Sequence, residues 1–207
     1  MDGNELWGHI HTERAALASL LWRLPPEQWN VPSLCPGWRV RDVAAHIISA
    51  PQTTPWGAAA AVMRGRADFN RMVLIEAQRR GSRPVTEILG DYRRLATTRR
   101  RAPGTGGTTP LLDVLVHTQD IAIPLGLEHR MPVDAAAACA DQVWRVAFPF
   151  NARRRLAGFG LRATDVDWQS GNGPAVEGPM EALLLLLTGR RAWLSRLAGP
   201  GSASLKP

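Results

Sequence analysis

Apolar residues recur along this chain mostly at helical spacing. Over residues 5–24, Leu6, Ile10, Leu17, Leu20, Leu21 and Leu24 fall near one face, and Pro25-Pro26 stop the helix. A turn-rich connection follows, WNVPSLCPGW over 29–38, punctuated by Pro32, Pro36 and Gly37. A second helix is predicted from Val40 until Pro51 interrupts it, and the alanine-rich stretch 55–64 predicts a third. Residues 67–80 and 85–101 read as two further amphipathic helices, separated by Gly81-Ser82-Arg83-Pro84. The stretch 109–126 predicts one more, with Thr109 as N-cap and Pro110 in the first helical position. Leu111, Leu112, Val114, Leu115, Val116 and Ile121 leave that helix apolar on almost every side, which marks it as buried.

Beyond Gly126 the pattern changes. Residues 132–148 predict a helix with Ala135, Ala138, Cys139, Val143 and Val146 inward. Residues 159–168 alternate like a strand, and Gly171-Asn172-Gly173 with the run PAVEGP predicts a small hairpin. A final helix is predicted over 180–197, and the tail 199–207 is expected to be disordered. The fold class is therefore mainly α: a helical bundle over 1–128, then a small α+β unit over 129–198.

A chain of 207 residues, 45% of them apolar, can bury one good core and a small second unit. The formal charge of +7 raises nucleic acid as a partner. Lys206 is the only lysine, however, and the densest arginine groups, Arg99-Arg100-Arg101 and Arg153-Arg154-Arg155, have no interleaved aromatics. The excess is read as a solvated surface or a site for a small acid, and no nucleic-acid partner is expected. Two cysteines, Cys35 and Cys139, make no disulfide framework at this length. The first 24 residues alternate charge with apolar side chains, unlike a signal peptide, and the aliphatic run Leu183–Leu187 is too short to span a bilayer. A cytoplasmic protein, monomer or homodimer, with no membrane partner is the expectation.

The candidate chemistry lies in two helices. Asp113, His117 and Asp120 stand four and three apart, so they share one stripe of an otherwise apolar helix. Polar groups there need partners, since an unpaired one costs about 1–3 kcal/mol. Asp42 and His46 likewise share a face of the second helix. Facing helices of a bundle commonly build metal sites, and His46 with Asp113 and His117 would give two imidazoles and one carboxylate. That set suits zinc with positions left open, or non-heme iron(II). The plainer alternative is that each histidine is a hydrogen-bonded core residue, Asp42 a first-turn acid, and Asp120 the partner of an arginine. Cys35 reads as turn packing and Cys139 as core; His9 and His11 as surface; His129 has no evident partner. Trp29, Trp38, Trp56 and Trp144 read mainly as packing residues.

The segment PSLCPGWRVRDVAAHI, residues 32–47, resembles the entry motif of the mycothiol-dependent maleylpyruvate isomerase family, part of the DinB/YfiT-like superfamily of metal-binding four-helix bundles. Asp113, His117 and Asp120 resemble that family's second metal motif, and DVDWQSGNGPAVEGPMEALLLLLTGR, residues 165–190, is similar to the end of its C-terminal domain. The resemblance implies a DinB-like four-helix bundle with metal ligands at His46, Asp113 and His117, zinc being the usual ion. It implies mycothiol as thiol cosubstrate, and isomerisation of a small unsaturated acid or S-transfer to an electrophile as the activity. Asp120, beside these ligands, is expected to orient a ligand histidine or to pair with an arginine. The family commonly has Glu at the position of Asp113, and Thr, a helix N-cap, at that of Arg39. A non-catalytic metal-binding bundle, acting as a sensor or binding protein, is the alternative.

Overall fold

The structure, a computed structural model, describes residues 1–66 and 68–205. Ala67, at the expected start of the fourth helix, and tail residues Lys206 and Pro207 lie outside the described residues. The protein is mainly helical with one small sheet, and the chain divides into two compact units, Asp2–His129 and Arg130–Pro207.

The first unit holds α1 (Gly3–Trp22), α2 (Val40–Ile47), α3 (Pro55–Arg64), α4 (Phe69–Gly81), α5 (Val85–Leu95) and α6 (Thr109–Ala122). Asp2 caps α1, its carboxylate accepting from the Asn4 and Glu5 backbone while Glu5 accepts from Asp2 N at 2.7 Å. α1 and α2 each pack against both α5 and α6, so the four helices touch in a closed ring. Ile10, Leu17, Leu21, Val43, Ile88, Leu111 and Leu115 are fully buried within this unit, each contributing about 1.5–3 kcal/mol of apolar burial, and the Ala44 methyl is buried among them. Tyr92 pins α5 to α2, its hydroxyl donating to Ala44 O at 2.9 Å.

α4 packs on α2 more closely than side chains ordinarily allow. A Cβ at Gly81 would lie 2.1 Å from Asp42 Oδ1 and 2.7 Å from Asp42 Cα. Only a glycine fits there.

Helix ends depart from the sequence pattern where tertiary partners compete. α5 stops at Leu95, not at 101. The following residues run beside α1, where the Arg14 guanidinium, buried, donates to Thr98 O at 3.0 Å and Arg99 reaches Asn4 Oδ1 at 3.0 Å. A carbonyl bound within a helix would be a poorer acceptor for a buried cation. α2 ends at Ile47, ahead of Pro51, and the Ser49 hydroxyl donates to His46 O at 2.7 Å. α6 takes in Thr109, expected to be its cap.

The second unit comprises α7 (Val133–Arg145), α8 (Ala152–Arg155), β1 (Gly160–Ala163), β2 (Gln169–Gly171), β3 (Ala175–Gly178) and α9 (Met180–Leu187). Its sheet has the order β2-β1-β3, with β2 antiparallel and β3 parallel to β1. The hairpin therefore joins β1 to β2, and Gly171-Asn172-Gly173 instead carries the chain to the far edge of β1. A Cβ at Gly173, where φ is +135°, would sit 2.0 Å from Gly158 O. α7 ends at Arg145, which leaves Val146 exposed rather than inward.

Two further expectations fail in this unit. α9 ends at Leu187 instead of 197: the Thr188 hydroxyl turns back to Leu184 O, and Gly189 reverses the chain at φ +88°. Arg155 donates to the Leu186 and Leu187 carbonyls at the end of the helix. The tail is ordered through Leu205, not disordered. Glu177 and Ala198 exchange backbone hydrogen bonds, Gly201 N donates to Ala175 O at 2.8 Å, and Leu205 is buried. β3 would otherwise present an unpaired edge, and the tail closes it.

Candidate metal centre

From Pro110 to Ala122, every residue of α6 is buried except Asp113 and His117. On α2, the half-buried positions among otherwise buried residues are Arg41 and His46. The three residues singled out by spacing are thus brought together where two apolar helices open. One ligand atom from each of His46, Asp113 and His117 lies within 4.8 Å of the other two. The imidazole planes of His46 and His117 stand edge to face, centroids 5.1 Å apart. Trp38 covers both, edge-on to His46 at 5.2 Å and stacked on His117 at 6.1 Å.

Asp120 sits on the other side of His117. Its Oδ2 is 2.7 Å from His117 Nδ1, which assigns the proton to Nδ1 and leaves Nε2 as the nitrogen available to a cation. Asp120 is fully buried and so fixes the plane of the ring. Cys35 joins the same carboxylate: its thiol donates to Asp120 Oδ2 at 3.1 Å, and its Sγ lies 3.7 Å from His117 Nδ1.

Electrostatics divide the two imidazoles. Burial pushes the His46 imidazole down to about 3, with His117 and Arg80 adding repulsion, so its ring is neutral with a lone pair to offer. Burial also pulls His117 down, but the Asp120 carboxylate and the Cys35 sulfur beside Nδ1 outweigh it and carry the ring up to about 10. Without a cation, the ring keeps a proton that a metal at Nε2 would displace. Arg14 is a buried cation close enough to Asp113 to feel its charge; burial holds the guanidinium below its ordinary value, opposed by Tyr92 and Asp113.

Two groups in this region have the residue types of a metal site, and geometry separates them. Two ligands at about 2.0–2.2 Å from one ion are at most about 4.4 Å apart, so small rotations would close His46, Asp113 and His117 around a cation. The Cys35, His117 and Asp120 group is already closed, at 2.7 and 3.1 Å, into hydrogen bonds. The first set fits a divalent ion; the second fits shared protons.

The remaining sequence candidates go elsewhere. Asp42 binds Arg39, accepting from its backbone N–H at 2.9 Å and from its guanidinium at 3.0 Å twice. His129, expected to lack a partner, is 2.8 Å from the buried Glu13. His11 is half-buried rather than superficial, 5.8 Å from the Trp7 ring. Trp29 is buried, whereas Trp56 is 86% exposed. Arg101 lies over Trp7, and Arg153 lines a cavity of about 350 Å³ in the second unit with Trp144 and Phe159. Cys35 and Trp38 are the site neighbours that the sequence pattern missed. Both lie in a turn closed by Trp38 N donating to Cys35 O at 3.0 Å, with Gly37 at φ +80°.

Residues 10–122 match the mycothiol maleylpyruvate isomerase N-terminal domain. The chain belongs to that family. Its fold is similar to two crystal structures of mycothiol-dependent maleylpyruvate isomerase, one of them a histidine-to-alanine mutant. The mutant aligns with a TM-score of 0.65 at 11% identity and the other with 0.62 at 10%, each over 98% of this chain and 94% of that one. No curated protein sequence matches the chain. The family match spans every residue of the candidate centre, from Cys35 to Asp120.

Proposed function

We propose that this protein is an enzyme similar to mycothiol-dependent maleylpyruvate isomerase, with His46, Asp113 and His117 as ligands of a divalent metal ion. The observation that carries this reading is the half-buried triad at the opening between α2 and α6, with its ligand atoms within 4.8 Å of one another. Three protein ligands leave coordination positions for a small molecule, as in catalytic zinc sites. A divalent cation there would supply the charge that keeps a coordinating thiol deprotonated at neutral pH.

The chain's own residues prepare that position. His46 is neutral and presents a lone pair without competition from a proton. Asp113 contributes the negative charge, and Asp120 holds His117 by Nδ1, which leaves Nε2 for the ion. Trp38 walls the two rings with an apolar surface, lowering the local dielectric around charge that develops there. The substrate class is a small unsaturated acid, isomerised cis to trans by reversible addition of the thiol; S-transfer is the variant in which the thiol stays attached.

The test is incubation of the metal-loaded protein with mycothiol and maleylpyruvate, following product against a metal-stripped control. Turnover that needs both metal and thiol is expected. Stoichiometric metal without turnover toward the diacid or a reactive electrophile would make the protein a binding module instead. Metal-independent turnover abolished by Cys35→Ser would move the chemistry to the protein's own thiol.

A further inference from the structure

We infer that Cys35 is a positioning residue for the candidate metal centre: its thiol donates to Asp120 Oδ2 and steadies the carboxylate that holds His117. The inference rests on the metal-site reading above. It concerns a side chain that touches neither a ligand atom facing the cation nor the opening itself.

The geometry is a three-member chain. His117 Nδ1 is 2.7 Å from Asp120 Oδ2, and Cys35 Sγ is 3.1 Å from that same oxygen. One carboxylate oxygen thus serves two donors that lie 3.7 Å apart. Asp120 has no exposed surface and Cys35 is 9% exposed, so water has little access to replace either donor. A carboxylate oxygen held from two directions has fewer ways to tilt, and the ring it orients inherits that constraint.

The turn that carries Cys35 is itself tied to both helices of the centre. Leu34 N donates to Asp120 O at 3.1 Å, so the backbone next to the cysteine is bound to α6 at the residue its side chain contacts. Cys35 N accepts no other geometry lightly: it donates to Ser33 Oγ at 3.1 Å, and Ser33 Oγ donates to Trp38 O at 2.9 Å. Trp38, at the far end of the turn, lies over His46 and His117. The motif therefore sets a donor on one side of His117 and an aromatic wall on the other.

The experiment compares Cys35→Ala, which removes the donor, with Cys35→Ser, which keeps one. Zinc affinity is measured by chelator competition, the electronic spectrum is recorded with cobalt(II), and the His117 Nδ1–H resonance is followed by NMR in the metal-free protein. Cys35→Ala is expected to lose about tenfold in zinc affinity, the low end of the range for groups that orient a ligand, with shifted cobalt bands and a shifted or broadened Nδ1–H signal. Cys35→Ser is expected to restore most of each. An unchanged Nδ1–H signal and unchanged affinity in Cys35→Ala would overturn the inference, as would equal losses in both variants, which would reduce the thiol to a matter of shape. If the native protein binds no zinc, the metal-site reading fails, while the Nδ1–H comparison still decides whether Cys35 orients His117.

Discussion

Asp113 and Asp120 are one residue type on one helix, and their surroundings give them different work. Asp113 is half-buried at the opening with two imidazoles, while Asp120 is sealed behind His117. Asp113→Asn is expected to reduce bound metal most, because the neutral amide no longer balances the cation; Asp120→Asn should weaken affinity about 10–100-fold. Metal analysis and chelator competition on both variants check this, and equal loss would mean the two roles are assigned wrongly. Asp91 offers a separate test by pH. Burial raises its carboxyl, but Arg83 at 2.8 Å, Gln52 at 3.0 Å and Arg94 together hold it below the usual range. A depressed acid stabilises the fold above its unfolded value, about 3.9, and that contribution is lost as pH falls through the folded value. Thermal melts below about pH 4 should therefore drop steeply in the native protein and less so in Asp91→Asn. The spacing of Asp113, His117 and Asp120 was readable because all three lie on one helix. Cys35 was not, since its contact with Asp120 spans 85 positions and no local pattern encodes it.

Elements were legible in kind and less so in their ends. Apolar periodicity, with alanine content for α3, located α1 to α6, but α5 and α9 stop early, where Thr98 O accepts from the buried Arg14 and Gly189 reverses the chain at φ +88°. The sheet order was hidden for the same reason: which strand lies beside β1 is decided by backbone pairing that sequence alternation does not record. The N-terminus of α2 shows a local rule met by other means. Where the family commonly has Thr, Arg39 offers no short oxygen, and Asp42 reaches back to accept the Arg39 N–H and grip its guanidinium. At the other side of Asp42, Gly81→Ala is expected to force α4 off α2. The cost should be about 1–3 kcal/mol, typical of overpacking, and calorimetry would register it as a lower Tm. An unchanged Tm would show that the contact yields more easily than its distances suggest.

At the scale of the molecule, the candidate centre lies wholly within the first compact unit, and among the described residues no helix is long and apolar enough to cross a membrane. The packed ring of α1, α2, α5 and α6 should hold without metal. His46→Ala with His117→Ala is expected to keep helical circular dichroism while losing the ion, and retention of the ion would refute the ligand assignment. His46 and His117 stand about 70 positions apart, so the chain between them is a long loop whose ends meet at the centre. An ion gripped at both ends acts as a removable staple on that loop, present in the native state and useless to the unfolded one. At a free concentration 100 times its Kd, such an ion adds about 2.7 kcal/mol to stability. The melting temperature should climb with zinc and fall with chelator, so that the toughness of the fold becomes a gauge of how much metal surrounds it.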